Sequence, residues 1–146
     1  MPIRILGGTA PGSQGLEWAV ECGWVTDSES LADWLESLLH SPYAELEIPL
    51  LQRLYQAASD GDREKFAHWC DYLLACRETS ELRQEETIRG RAMARLLKEL
   101  DLESDTAWLT SVQRCQAAGY ALGALRWEIP LSEAALGYCW GWLENQ

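Results

Sequence analysis

From Asp60 to Leu74 the apolar positions follow one helical face. At about 100° per residue, Phe66, Cys70, Leu73 and Leu74 gather on one side. Carried forward, that line meets Arg77, Glu81 and Gln84 before it reaches apolar Ile88. Charge therefore stands where a core helix would place leucine. Periodicity leaves three readings open: a break near Thr79-Ser80, a solvated face, or an ion-pair set between helices or subunits. A solvated face fits poorly, because Glu81 and Glu85 are like charges one turn apart.

The remaining elements follow the same periodicity. Ser13 is placed to cap a first helix over SQGLEWAVECGW, and Thr26 with Glu29 forms a T-x-x-E capping box for a second. Leu31, Trp34, Leu35, Leu38 and Leu39 form its apolar side, and Ser41-Pro42 ends it. A third helix is expected from about Ile48 to Ala58, with Pro49 in its first turn. SDGD (59–62) turns into the fourth. Beyond the charged belt, Ile88, Ala92, Leu96 and Met93, Leu97, Leu100 form a new apolar stripe. Loop DLESD (101–105) precedes a helix beginning with Trp108, Val112 and Cys115, and IPLSEAALGYCWGWLENQ is the last. Residues 1–12 are irregular, and IRIL (3–6) is the sole short strand candidate. The pattern predicts an all-α fold of about seven helices, with 1–146 as a single domain.

Composition narrows the partners. A chain of 146 residues with a formal charge of −11 is long enough for one core and repels nucleic acid and anionic membrane. A basic protein suits it better. Its five cysteines are odd in number and include no C-x-x-C, and no secretory signal precedes them, so reduced thiols in the cytoplasm are expected. No apolar run reaches the roughly 18 residues of a membrane span.

Candidate chemistry is sparse. His68 and Cys70 diverge by about 200° on a helix and cannot share an ion, so no intrinsic metal site is expected. Arg77 beside Cys76 could lower the thiol pKa, but no histidine is placed to act as base. GGTAPGS (7–13) lacks the Lys-Ser/Thr ending of a phosphate loop. Gly119/Gly123 and Gly137/Gly141 pair at four-residue spacing. Close packing within the chain explains such pairs, and so does a helix-mediated dimer.

SQGLEWAVECGWV (13–25), LLAC followed by RETSELR (77–83), Leu-Tyr-x-Ala at 54–57, Gly90 and the final WGWLENQ, taken together, resemble the UreF family of urease accessory proteins. The likeness runs through almost the whole chain in order. Compared with that family, the chain looks shortened at its N-terminus and lacking the C-terminal part that leads to a UreD-contacting tail.

The resemblance implies an all-α homodimer with no catalytic residue and no cofactor of its own. It implies a chaperone in urease maturation that joins UreD (also called UreH) and the GTPase UreG to insert nickel into the urease apoprotein. Nickel and GTP then belong to the partners. Carried over by motif, the partner-binding residues are Glu17, Arg77, Glu78, Glu81 and Arg83. Two other readings stand beside it: a helical adaptor for another basic protein, and an all-α enzyme built on Cys76 or Cys70 with Glu78.

Overall fold

The computed structural model describes residues 14–144, which contain eight α-helices and no strand. The IRIL and GGTAPGS segments lie outside the described residues. Leu46–Tyr138 forms one packed unit, and the described residues before Leu46 together with those from Cys139 to Glu144 belong to another.

In the latter unit, α1 (Gln14–Glu21) ends at Gly23, whose φ of +76° is the left-handed geometry glycine adopts without strain. Trp24 N–H then donates back to Ala19 O at 2.8 Å. α2 (Ser28–Leu39) starts one residue later than expected. Asp27 is its cap and accepts from Ser30 N–H at 2.8 Å, while Ser30 Oγ receives the Asp27 N–H at 3.1 Å. The box is Asp27–Ser30, not Thr26–Glu29, because a carboxylate is the stronger acceptor for the orphan amides.

The N-terminal turn of α3 (Pro42–Ser59) also differs from expectation. Pro42, read as a stop, occupies the first helical position, where a missing N–H costs nothing. Pro49 consequently lies inside the helix and is exposed.

The larger unit is built on α3 from Leu46 onward, α4 (Arg63–Ala75), α5 (Ser80–Glu99), α6 (Thr106–Val112), α7 (Gln116–Arg126) and the first half of α8 (Leu131–Glu144). Asp62 caps α4 by accepting from Lys65 N–H at 3.0 Å. The expected helix from Trp108 is two helices, with Cys115 as the cap residue of the second. Leu51, Leu54, Phe66, Leu73 and Leu122 are the largest fully buried aliphatic and aromatic side chains. Each contributes about 1.5–3 kcal/mol. Trp108 meets Phe66 edge to face at 5.0 Å.

α5 bears out part of the expected stripe, with Leu97 buried and Met93 packed against the core, and overturns the rest. Its inward line is Glu86, Gly90, Ala94 and Leu97, while Ile88 is 65% exposed and Leu96 and Leu100 point largely to solvent. Small residues win this face because the neighbouring backbone is too close for anything larger. A Cβ on Gly90 would stand 2.6 Å from the carbonyl oxygens of both Val112 and Gln113. One on Gly119 would meet Met93 Cγ at 2.3 Å. Gly119 and Gly123 thus serve packing between α5 and α7, whereas a Cβ at Gly137 meets nothing within 4 Å.

This contact predicts an asymmetry among glycines. Gly90→Ala forces two backbone carbonyls to move and should cost about 3 kcal/mol. Gly123→Ala meets only the end of the Leu97 side chain, at 3.1 Å, and gains about 1 kcal/mol of helix propensity, so it should be near neutral. Urea midpoints of the two variants check this; equal midpoints would refute the close approach at Gly90.

Candidate functional site

RETSELR forms a corner. α4 stops at Ala75, Cys76 N–H closes onto Leu73 O at 3.1 Å, and Arg77 N–H reaches Leu74 O at 3.2 Å. Thr79, in extended backbone, then caps α5 by accepting from Leu82 N–H at 3.2 Å. Of the three readings of the belt, two are found together: the helix breaks before Thr79-Ser80, and the break turns Arg77 inward into an ion-pair set between helices.

Arg77 is 6% exposed, Glu47 2% and Glu86 4%. Arg77 Nε and Nη2 both donate to Glu86 Oε2, at 3.2 and 3.0 Å, and Nη2 also donates to Glu47 Oε1. The remaining carboxylate oxygens have donors too. Tyr138 Oη–H reaches Glu47 Oε2 at 2.6 Å, and the Gln116 amide reaches Glu86 Oε1 at 2.9 Å. That amide opens α7, whose cap residue Cys115 provides no side-chain hydrogen bond. Glu86 therefore caps α7 from another helix, with its negative charge at the positive end of the helix dipole. Two carboxylates and one guanidinium leave an excess negative charge, and the tyrosine hydroxyl and helix N-terminus offset it. Taking an ion out of water costs several kcal/mol, which explains why these groups have such full sets of partners.

The other motif residues lie around this cluster in different roles. Arg83 Nη1 donates to Arg77 O at 2.8 Å and ties the corner to the first turn of α5. Glu78 and Glu81 are exposed on the outside of the corner. Glu81 therefore does not occupy the packing line on which the uninterrupted periodicity put it. Its own amide, then the Ser80 hydroxyl, hold its carboxyl below the ordinary glutamate range. Glu17 is half-buried on α1, in the other unit.

Sequence reasoning missed Glu47, Glu86 and Tyr138. A signal for Glu47 was present, since Glu47, Leu50, Leu51 and Leu54 share one helical stripe and a carboxylate on an apolar stripe needs a buried cation.

The cysteine readings fare differently. Cys70 is fully buried beside Cys115, so no substrate reaches it. The Cys115 thiol is pushed well above the ordinary range by its hydrogen bond with Cys70 and then by burial, which keeps it protonated and unreactive. Cys76 is half-buried, and Arg77, the expected activator, is bound by carboxylates. Among the described residues no three metal-ligating side chains converge. No helix among them is long and apolar enough to cross a membrane.

Comparison with known proteins places this corner in a family setting. The UreF family matches residues 25–146. The urease accessory protein UreF of Alcanivorax borkumensis is 48% identical over 139 residues, covering 91% of this chain and 61% of the relative. Its counterpart in Pseudomonas entomophila is 46% identical and covers 98% of this chain and 67% of the relative. The Klebsiella pneumoniae protein is 45% identical, with 91% and 59% covered. The chain thus spans about three-fifths of the length of the Alcanivorax relative.

Burial of the cluster sets the expected stabilities. Arg77→Met strands two carboxylates and should cost about 3–5 kcal/mol, and the double variant Arg77→Met/Glu86→Gln should recover part of it. Tyr138→Phe removes one bond to a charged group and should cost about 1.5–3 kcal/mol. Glu81→Lys, an exposed change at the α5 N-terminus, should lower stability far less than Arg77→Met. Chemical denaturation of the four variants tests the set; Arg77→Met unfolding with the parent would show that the cluster is not buried in solution.

The lowered Glu81 carboxyl carries a sign. Its contribution is present above the unfolded pKa and lost as pH falls through the folded one. The stability difference between parent and Glu81→Gln should therefore shrink on acidification below the ordinary glutamate range. A difference that grows in acid would contradict the hydrogen bonds at the α5 N-terminus.

Proposed function

Because the chain belongs to the UreF family of urease accessory proteins, we propose that it acts in nickel delivery to the urease apoprotein, in a complex with UreD/UreH and the GTPase UreG. The observation that supports this most is the division of labour within RETSELR. Arg77 is locked into the interior, and Arg83 fastens the corner, while Glu78 and Glu81 face outward. A partner therefore meets two carboxylates on a backbone that does not have to be ordered on binding, and less conformational entropy is lost. The chain's charge of −11 suits a basic contact surface.

On this reading the protein is a cytoplasmic, homodimeric chaperone subunit without catalysis of its own. Nickel is cargo and GTP is hydrolysed by the partner, so neither binds tightly to this chain alone. Glu17, on α1, is a second contact point carried by the family motif. An adaptor for another basic protein would use the same outward carboxylates, and the identity of the captured partner separates the two.

Co-expression with UreD, UreG and apo-urease tests the proposal. Glu78→Lys and Glu81→Lys should each lower UreG capture and nickel-dependent urease activity at least tenfold while the chain still unfolds cooperatively. Capture and activation equal to the parent in both variants would remove these carboxylates from the interface. Failure of the parent chain to join UreD or UreG would sink the proposal itself. Calorimetry of the chain alone with Ni²⁺ should give no submicromolar one-to-one isotherm.

A further inference from the structure

We propose that the outward face of α5 is a docking surface for an acidic amphipathic helix of a partner protein. Opposite the inward line, Ile88, Ala92, Leu96 and Leu100 follow one another at four-residue steps. Ile88 is 65% exposed, Leu96 45% and Leu100 46%. Single exposed leucines are ordinary on protein surfaces, but a continuous row along one helix is a patch that association would bury. The row from Ile88 to Leu100 is about 18 Å long, the length of a helix of a little over three turns.

Charge identifies the occupant. From Ile88 to Glu99 the helix carries Arg89, Arg91, Arg95 and Lys98 against the single carboxylate Glu99, in a chain whose formal charge is −11. Arg89 is paired with Glu85 at 3.8 Å. Arg91, Arg95 and Lys98 are exposed along one edge of the apolar row, with no ion pair among the described residues. A strip that is apolar in the middle and basic along one edge complements a helix with apolar residues at i, i+4 and i+7 and carboxylates beside them. An anionic bilayer is the poorer match. It is an extended plane that would meet the acidic remainder of the molecule as well, and the row carries no aromatic anchor. This surface has the opposite sign to the carboxylates at the RETSELR corner, and it does not depend on the nickel-delivery reading.

Fluorescence anisotropy with a labelled three-turn peptide of leucines at i, i+4 and i+7 flanked by glutamates tests it, beside the same peptide with lysines. The glutamate peptide should bind the full chain, more weakly as salt rises. Arg91→Glu/Arg95→Glu/Lys98→Glu and Ile88→Ser/Leu96→Ser should each weaken binding at least tenfold while the melting curve stays put, since all five side chains are exposed. No binding, equal binding of the lysine peptide, or binding unchanged in both variants would overturn the proposal. So would either of two other occupants. One is a second copy, seen as self-association that Ile88→Ser/Leu96→Ser abolishes in sedimentation. The other is lipid, seen as binding to phosphatidylserine-containing vesicles that the triple variant loses. Lost UreG capture with intact peptide binding would count against the nickel-delivery reading alone.

Discussion

A guanidinium buried between two carboxylates organises the larger unit. Arg77 draws Glu47 of α3 and Glu86 of α5 to one point, and the free oxygens of those carboxylates bring in Tyr138 of α8 and the first amide of α7. Desolvation makes the arrangement demanding, because any member left without its partner is a buried charge in a poor medium. Apolar side chains of equal volume can be as stable in such a place. A planar fork adds direction, fixing where the α4–α5 corner sits relative to three other helices.

The cluster depends in turn on a packing feature one turn further along α5. Glu86 and Gly90 share the inward line, and Gly90 lets α5 approach the carbonyls that end α6. Only at that separation does the Glu86 carboxylate reach the Gln116 amide. Electrostatics and packing are thus one constraint: remove the close approach and the carboxylate loses its helix N-terminus. Gly119 holds the same helix pair together against Met93, one face of α7 being almost entirely alanine and glycine.

Two surfaces of opposite character remain outside this interior. The corner presents Glu78 and Glu81, while the far side of α5 presents an apolar row edged by Arg91, Arg95 and Lys98. One short segment of chain thus carries two surfaces of opposite charge. Because α5 is anchored through Glu86, Gly90, Ala94 and Leu97, both faces are carried on a rigid helix.

By itself the sequence determined the helical class, the α4 core face of Phe66, Cys70 and Leu73, the turn at SDGD and the family. These rest on local signals: helical periodicity, turn residues and short ordered motifs. It also marked RETSELR as a place where charge interrupts a packing line. It determined only part of the α5 face: Met93 and Leu97 pack inward as expected, but hydrophobicity also assigns Ile88, Ala92 and Leu96 to the core and passes over Glu86 and Gly90. Nor did it reveal that Arg77 answers to Glu47 and Glu86, which lie 30 and 9 residues away. Those outcomes belong to the tertiary structure. A glycine on an inward line is worth something only where a backbone lies against it, and a carboxylate can be buried only where a cation and donors from other helices converge on it.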